Sequence, residues 1–165
     1  MAQLRFFDDT KKKESKICAF TGHRQLGADF SARRLKEAIV AQIESGVEIF
    51  LSGMAIGFDL LAAETVLSLK ENYPHIKLVA CIPCYGQEKY FSQEDKERYV
   101  EACAKSDEKI LLSQNYYRGC MQKRDRYMAE RADVMIAYCK KSEGGTAYTV
   151  RYFRSIHPEN EIVFL

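Results

Sequence analysis

Three short stretches of this chain combine glycine with side chains that can bind or polarise a ligand. They are Thr21, Gly22, His23 and Arg24; Ser52, Gly53, Met54, Ala55, Ile56, Gly57, Phe58 and Asp59; and Ser142, Glu143, Gly144, Gly145 and Thr146. Each follows a short apolar run, and helix-like patterns open at Leu60 and Thr146. Glycine lets a backbone approach a bound group closely, while a helix start directs unpaired N–H groups and a positive dipole end at it. Phosphate or pyrophosphate suits such loops best. Gly145 is expected to carry the close approach, together with any positive φ. No G-x-G-x-x-G is present, and Gly53 to Gly57 lacks the Lys-Ser/Thr pair of a P-loop. Because glycine also serves ordinary turns, each loop taken alone is equally compatible with a structural role.

Other residues extend this set. Arg24 offers a planar fork of donors for phosphate or carboxylate, its bland alternative being a surface ion pair. His23 could donate to a phosphate or move a proton, but no partner stands out, so a structural histidine is expected. Asp59 falls where the second loop becomes helix, and would either accept ribose hydroxyls or cap the helix. The run Arg118, Lys123, Arg124, Arg126 and Arg131 reads first as a solvated basic face, although Arg124 is placed to reach the same region. Tyr116, Tyr117 and Tyr127 are either stacking groups for a base or core aromatics. Cys81 and Cys84 form a lone C-x-x-C with no second ligand pair, so no metal is expected and the thiols read as reduced.

The elements that must position these loops are legible from periodicity. Apolar runs at Ile17 to Phe20, Val47 to Leu51, Lys77 to Ile82, Lys109 to Leu112, Val134 to Tyr138 and Ile162 to Leu165 read as strands. Most are continuous rather than alternating, the pattern of strands buried on both faces. Between them Leu35, Ala38, Ile39 and Ile43, then Leu60, Ala63 and Leu67, then Met121, Met128 and Ala132 recur at helical spacing, and Ser92 would cap a further helix. The expected fold is α/β, a single Rossmann-like three-layer α/β/α sandwich with a mainly parallel sheet. It should occupy residues 16–165, after a mobile tail over residues 1–15. In such a sheet the loops after the strands share one edge, where ligands bind.

Composition narrows the function classes. A chain of 165 residues with 47% hydrophobic content supports one self-sufficient core, burying roughly 70% of its unfolded surface. With 25 basic against 23 acidic residues the net charge is +2, too balanced for a protein built to neutralise phosphate backbones, so nucleic acid is not the expected partner. No signal core or membrane-length apolar run is visible, and a cytoplasmic protein is expected.

Four motifs in order carry a family resemblance: TGHR at Thr21–Arg24, SGMAIGFD at Ser52–Asp59, KRDRYMAERAD at Lys123–Asp133 and EGGTAYTVRY at Glu143–Tyr152. From about Lys16 to the carboxyl end the chain resembles the YpsA family. That family belongs to the SLOG superfamily of Rossmann-like proteins, with the Lonely Guy hydrolases and DNA-processing protein A. The resemblance implies a bacterial module that binds or senses a nucleotide or nucleotide-derived ligand, ADP-ribose included, with a link to cell division or stress. It places Thr21, Gly22, Arg24, Gly53, Gly57, Asp59, Gly144, Gly145 and Thr146 at the ligand, and the reading of the second loop and the basic run adds Ser52 and Arg124. No resident cofactor is required, and a homodimer is compatible. The hydrolase relatives use a loop G-G-x-G-T-x-x-E, whose Glu has no counterpart between Thr146 and Val150. Binding is therefore ranked above N-glycosidic hydrolysis, for which Glu64, Asp125 and Glu143 are the substitute carboxylates. Single-strand DNA binding through the Arg118 to Arg131 helix ranks third.

Overall fold

The computed structural model describes residues 15–165; the expected tail, apart from Ser15, lies outside them. Six strands form one all-parallel sheet: β1 (Lys16–Gly22), β2 (Val47–Ser52), β3 (Lys77–Ile82), β4 (Glu108–Leu111), β5 (Val134–Tyr138) and β6 (Ile162–Phe164). Their spatial order is β4-β3-β2-β1-β5-β6. Five α-helices alternate with them: α1 (Ala32–Glu44), α2 (Phe58–Leu69), α3 (Gln93–Lys105), α4 (Cys120–Arg131) and α5 (Gly145–Ile156), with one 3-10 turn at Gln87–Tyr90.

The continuous apolar runs explain the layers. Alternate residues of each strand point to opposite faces, so Cys18 and Phe20 pack with Leu35 and Ile39 of α1, Leu60 and Val66 of α2, and Tyr99 of α3. Ile17 and Ala19 point the other way, into a second core with Tyr127 and Met128 of α4 and Val150 and Phe153 of α5. Both cores are sealed, as a doubly covered parallel sheet requires. The chain steps outward from β1 to β4 through α1, α2 and α3, then returns across the opposite face through α4 to β5. Connections leaving β1 and β5, which are adjacent, thus depart to opposite faces and open a crevice at the carboxyl edge.

Local chemistry sets several boundaries. Ser31 and Ser92 accept hydrogen bonds from Arg34 N (3.2 Å) and Asp95 N (3.1 Å), capping α1 and α3. Asp133 and Asp107 each use a carboxylate oxygen to accept from the backbone of a neighbouring strand, at Ile17 N (2.9 Å) and Leu78 N (2.8 Å). The first strand runs two residues beyond the expected Phe20, since Thr21 and Gly22 pair with Ala137 and Tyr138.

Candidate functional site

A cleft of about 490 Å³ opens where the crevice was expected. Its walls come from the turn after β1 (Thr21, Gly22, His23, Arg24), the β2–α2 loop (Ala55, Asp59), α4 and the turn before it (Tyr116, Arg118, Met121, Arg124, Asp125), and the β5–α5 turn (Lys141, Glu143, Gly144, Gly145, Thr146). Eight of the eleven residues anticipated from sequence therefore meet around one space: Thr21, Gly22, Arg24, Asp59, Arg124, Gly144, Gly145 and Thr146. Ser52, Gly53 and Gly57 sit behind the wall, and their contacts are to the protein itself.

Those three explain how the second loop holds its shape. Ser52 Oγ donates to Asp59 O (2.8 Å) and accepts from Met54 N (3.2 Å), clamping the loop across its base. Met54, at φ 61°, is the non-glycine residue with positive φ that this clamp maintains. A side chain at Gly57 (φ 80°) would collide with the carbonyl oxygens of Arg24 and His23, and one at Gly53 would meet the Arg124 guanidinium at 2.6 Å. These two glycines allow segments of the protein to touch.

The β5–α5 turn differs. The positive φ falls on Gly144 (100°), the helix N-cap, rather than on Gly145. An added Cβ at either meets nothing within 4 Å, so both glycines leave backbone open to the cleft. No side chain caps this helix, and its first N–H groups are the unsatisfied donors of a helix start.

Electrostatics divide the floor from the rim. Arg124 is 3% exposed. Its Nε donates to Asp125 Oδ1 (2.8 Å) and its Nη1 to Gly53 O (2.5 Å) and Gln87 Oε1 (3.3 Å). Burial opposes the charged guanidinium, yet Asp125 and Asp59 outweigh it and raise its pKa. The basic run of α4 is thus not wholly a solvated face. Asp59, 7% exposed, leaves Oδ1 without a hydrogen-bond partner. Burial pushes its carboxyl up to about 7, against the opposing pull of Arg124. It stands within the first turn of α2, whose N-cap is Gly57, so it is not the cap. Arg24, by contrast, is exposed on the rim and makes no hydrogen bond or ion pair among the described residues.

His23 Nε2 accepts from Lys140 N (2.8 Å) and its ring meets Tyr138 edge-on, tying the turn after β1 to that after β5. Burial and Lys141 lower its pKa, consistent with a neutral acceptor. Glu64 is elsewhere, on the outer side of α2, paired with Arg98 (2.5 Å). Asp125 and Glu143 do reach the cleft. Tyr127 packs in the second core, whereas Tyr116 and Tyr117 are exposed. The Cys81 thiol is buried and thereby pushed up to about 12. The Cys84 thiol is hydrogen-bonded to the Cys120 thiol, and all six cysteines are free. Among the described residues no three His, Cys, Asp or Glu side chains gather as metal ligands, and no helix is long and apolar enough to cross a membrane.

Sequence reasoning missed the loop after β3. Tyr85, Gln87, Tyr90 and Phe91 border a second hollow that adjoins the cleft. The available signal was position: this loop leaves the same sheet edge as the three glycine loops.

An all-parallel, doubly covered sheet with a cleft at its switch point makes this a Rossmann-like α/β domain. A family model described as the YspA SLOG family (YpsA) matches residues 12–163, and the chain belongs to that family. It is 30% identical over 149 residues to a UPF0398 protein of Bacillus velezensis, covering 82% of each chain, and 27% identical over 146 residues to the UPF0398 protein YpsA of Bacillus subtilis, covering 81% of each. Two structures of DNA processing protein A share the fold. The Helicobacter pylori protein, whose structure concerns single-stranded DNA binding, superposes with TM-score 0.68 at 17% identity, covering 94% of this chain and 68% of that one. The Streptococcus pneumoniae protein gives 0.64 at 16% identity; this chain is covered over 93% and spans about half (51%) of that one.

Proposed function

We propose that this chain binds a nucleotide or nucleotide-derived anion, of the nucleotide or ADP-ribose class, and serves as a binding or sensing module rather than a hydrolase. One observation carries the reading. Open backbone at the start of α5 faces the same cleft as an uncommitted Arg24, above a buried Asp59 with an unpartnered oxygen. Donors suit phosphate, and an acceptor suits a sugar hydroxyl, so the two together suit a phosphorylated sugar better than a bare anion. Three further cations, Arg118, Arg124 and Lys141, line the cleft against Asp125 and Glu143.

Calorimetric titration with AMP, ADP and ADP-ribose tests this. Gly145→Val should keep the fold, because a Cβ there meets only open space, and should abolish binding by filling the approach to the helix start. Arg24→Lys should weaken binding measurably despite keeping the charge, because a charge-assisted fork is worth about 1.5 to 3 kcal/mol and Lys cannot form it. Unchanged affinity in a folded Gly145→Val protein refutes the assignment.

A second reading, single-stranded DNA, is favoured by the exposed Tyr85, Tyr90, Tyr116 and Tyr117 near the cleft and by what the Helicobacter pylori neighbour binds. Anisotropy of a labelled oligonucleotide separates it: strand binding requires several phosphates and a steep loss of affinity with salt.

A further inference from the structure

The hollow missed from sequence extends the ligand site. It measures about 720 Å³ and shares Arg24, Ala55, Tyr116 and Met121 with the cleft, so the two are compartments of one groove. Their linings differ. The cleft holds the helix start and the charged groups, whereas the hollow is bordered by Ile56, Tyr85, Tyr90 and Phe91. Three of its aromatic residues are exposed: Tyr90 is 89% exposed, with Lys89 Nζ 5.5 Å from its ring centroid, Tyr116 70% and Tyr85 53%. Aromatic groups gathered and exposed around one hollow mark a binding surface, since isolated exposed side chains are ordinary but clusters are not.

The hollow is also joined mechanically to the cleft. Gln87, on the turn that carries Tyr90, donates from Nε2 to Gly53 O (3.2 Å) and accepts from Arg124 through Oε1 (3.3 Å). A loop held by the buried arginine of the anion cleft keeps its rings at a fixed offset from that cleft. Resting on the reading of the cleft as a phosphate site, we infer that the groove takes a nucleoside diphosphate unit. Its phosphates lie at the start of α5, its sugar above Asp59, and its base in the hollow against Tyr90 and Tyr116.

Length selects the diphosphate. The anion end follows β5 and the aromatic end follows β3, with β1 and β2 between them. Three strand intervals of about 4.8 Å separate the ends by roughly 14 Å. An extended nucleoside diphosphate reaches further across that distance than a monophosphate. Tyr116, lining both compartments, marks where sugar gives way to base.

The test titrates the full chain with inorganic pyrophosphate, with ADP, GDP, CDP and UDP, and with the monophosphate of each. At least one nucleoside diphosphate should bind tighter than both pyrophosphate and its own monophosphate. Tyr90→Ala should weaken that diphosphate about tenfold, the usual scale of base stacking, while pyrophosphate affinity stays unchanged. Because the chain has no tryptophan, Tyr90→Trp supplies a single reporter whose emission should respond to the diphosphate and not to pyrophosphate. Pyrophosphate binding with no gain from any base, or equal losses for both probes in Tyr90→Ala, overturns the inference and leaves the cleft intact. Failure of pyrophosphate and all nucleotides to bind overturns cleft and hollow together. An oligonucleotide that binds tighter than every diphosphate, across several nucleotides, assigns the rings to a strand instead.

Discussion

Replacing Asp59 with Asn should stabilise this protein, and by an amount that depends on pH. The carboxyl is 7% exposed, one oxygen has no hydrogen-bond partner, and burial raises its pKa from 3.8 to about 7. An acid whose pKa is raised by folding holds its proton in the folded chain between those two values and releases it in the unfolded chain. Stability therefore falls as pH rises from about 4 to about 7 and is level above. The shift of about three units corresponds to roughly 4 kcal/mol at pH 8 and under 2 kcal/mol at pH 5. Asn keeps the shape and lacks the charge, while Arg124 retains Asp125 and Gly53 as partners. Urea denaturation of parent and variant at pH 5 and pH 8 should show a gain at least about 2 kcal/mol larger at the higher pH. An equal effect at both values would mean that Asp59 is not a desolvated carboxylate, and the sugar-facing acceptor would go with it.

Gly57→Ala should cost about 3 kcal/mol or more, read as a fall in the denaturation midpoint, because φ 80° and two backbone carbonyls oppose a Cβ there. Incubation with nucleoside monophosphates should release no free base on chromatography; turnover lost in Asp125→Asn or Glu143→Gln, with binding retained, would make the protein a hydrolase.

The fold was readable because most strands are continuous apolar runs bounded by turn signals. β3 and β5 begin and end where the periodicity puts them, and Ser92 caps α3 as its hydroxyl suggests. Errors gathered where tertiary contacts outweigh local pattern. Thr21 looks like the start of a loop, yet the ladder to Ala137 carries β1 through it. Leu60 looks like the start of α2, yet Gly57 turns the chain early and brings Asp59 inside the first turn. Arg124 stands in a run of charge, and partners as distant as the carbonyl of Gly53, 71 residues away, make a buried home for it. Periodicity carries no information about such a partner. Glu64 and Asp125 are indistinguishable as carboxylates in the sequence, and the sheet order alone sends one to Arg98 and the other to the cleft.

The glycines of the three loops divide into two kinds of work. Gly22, Gly53 and Gly57 bring protein against protein: Phe58 over Gly22, the Arg124 guanidinium over Gly53, the turn after β1 against Gly57. Together with the His23 bond to Lys140 N, these contacts fasten the loops after β1, β2 and β5 to one another. Through Gln87 the loop after β3 joins them. Gly144 and Gly145, by contrast, face open space at the start of α5. For the ligand proposed above, walls already joined would leave little loop ordering to be spent on binding. Such a site can hold a small anion firmly without the wide positive surface that a nucleic-acid backbone needs, which fits a chain whose net charge is only +2.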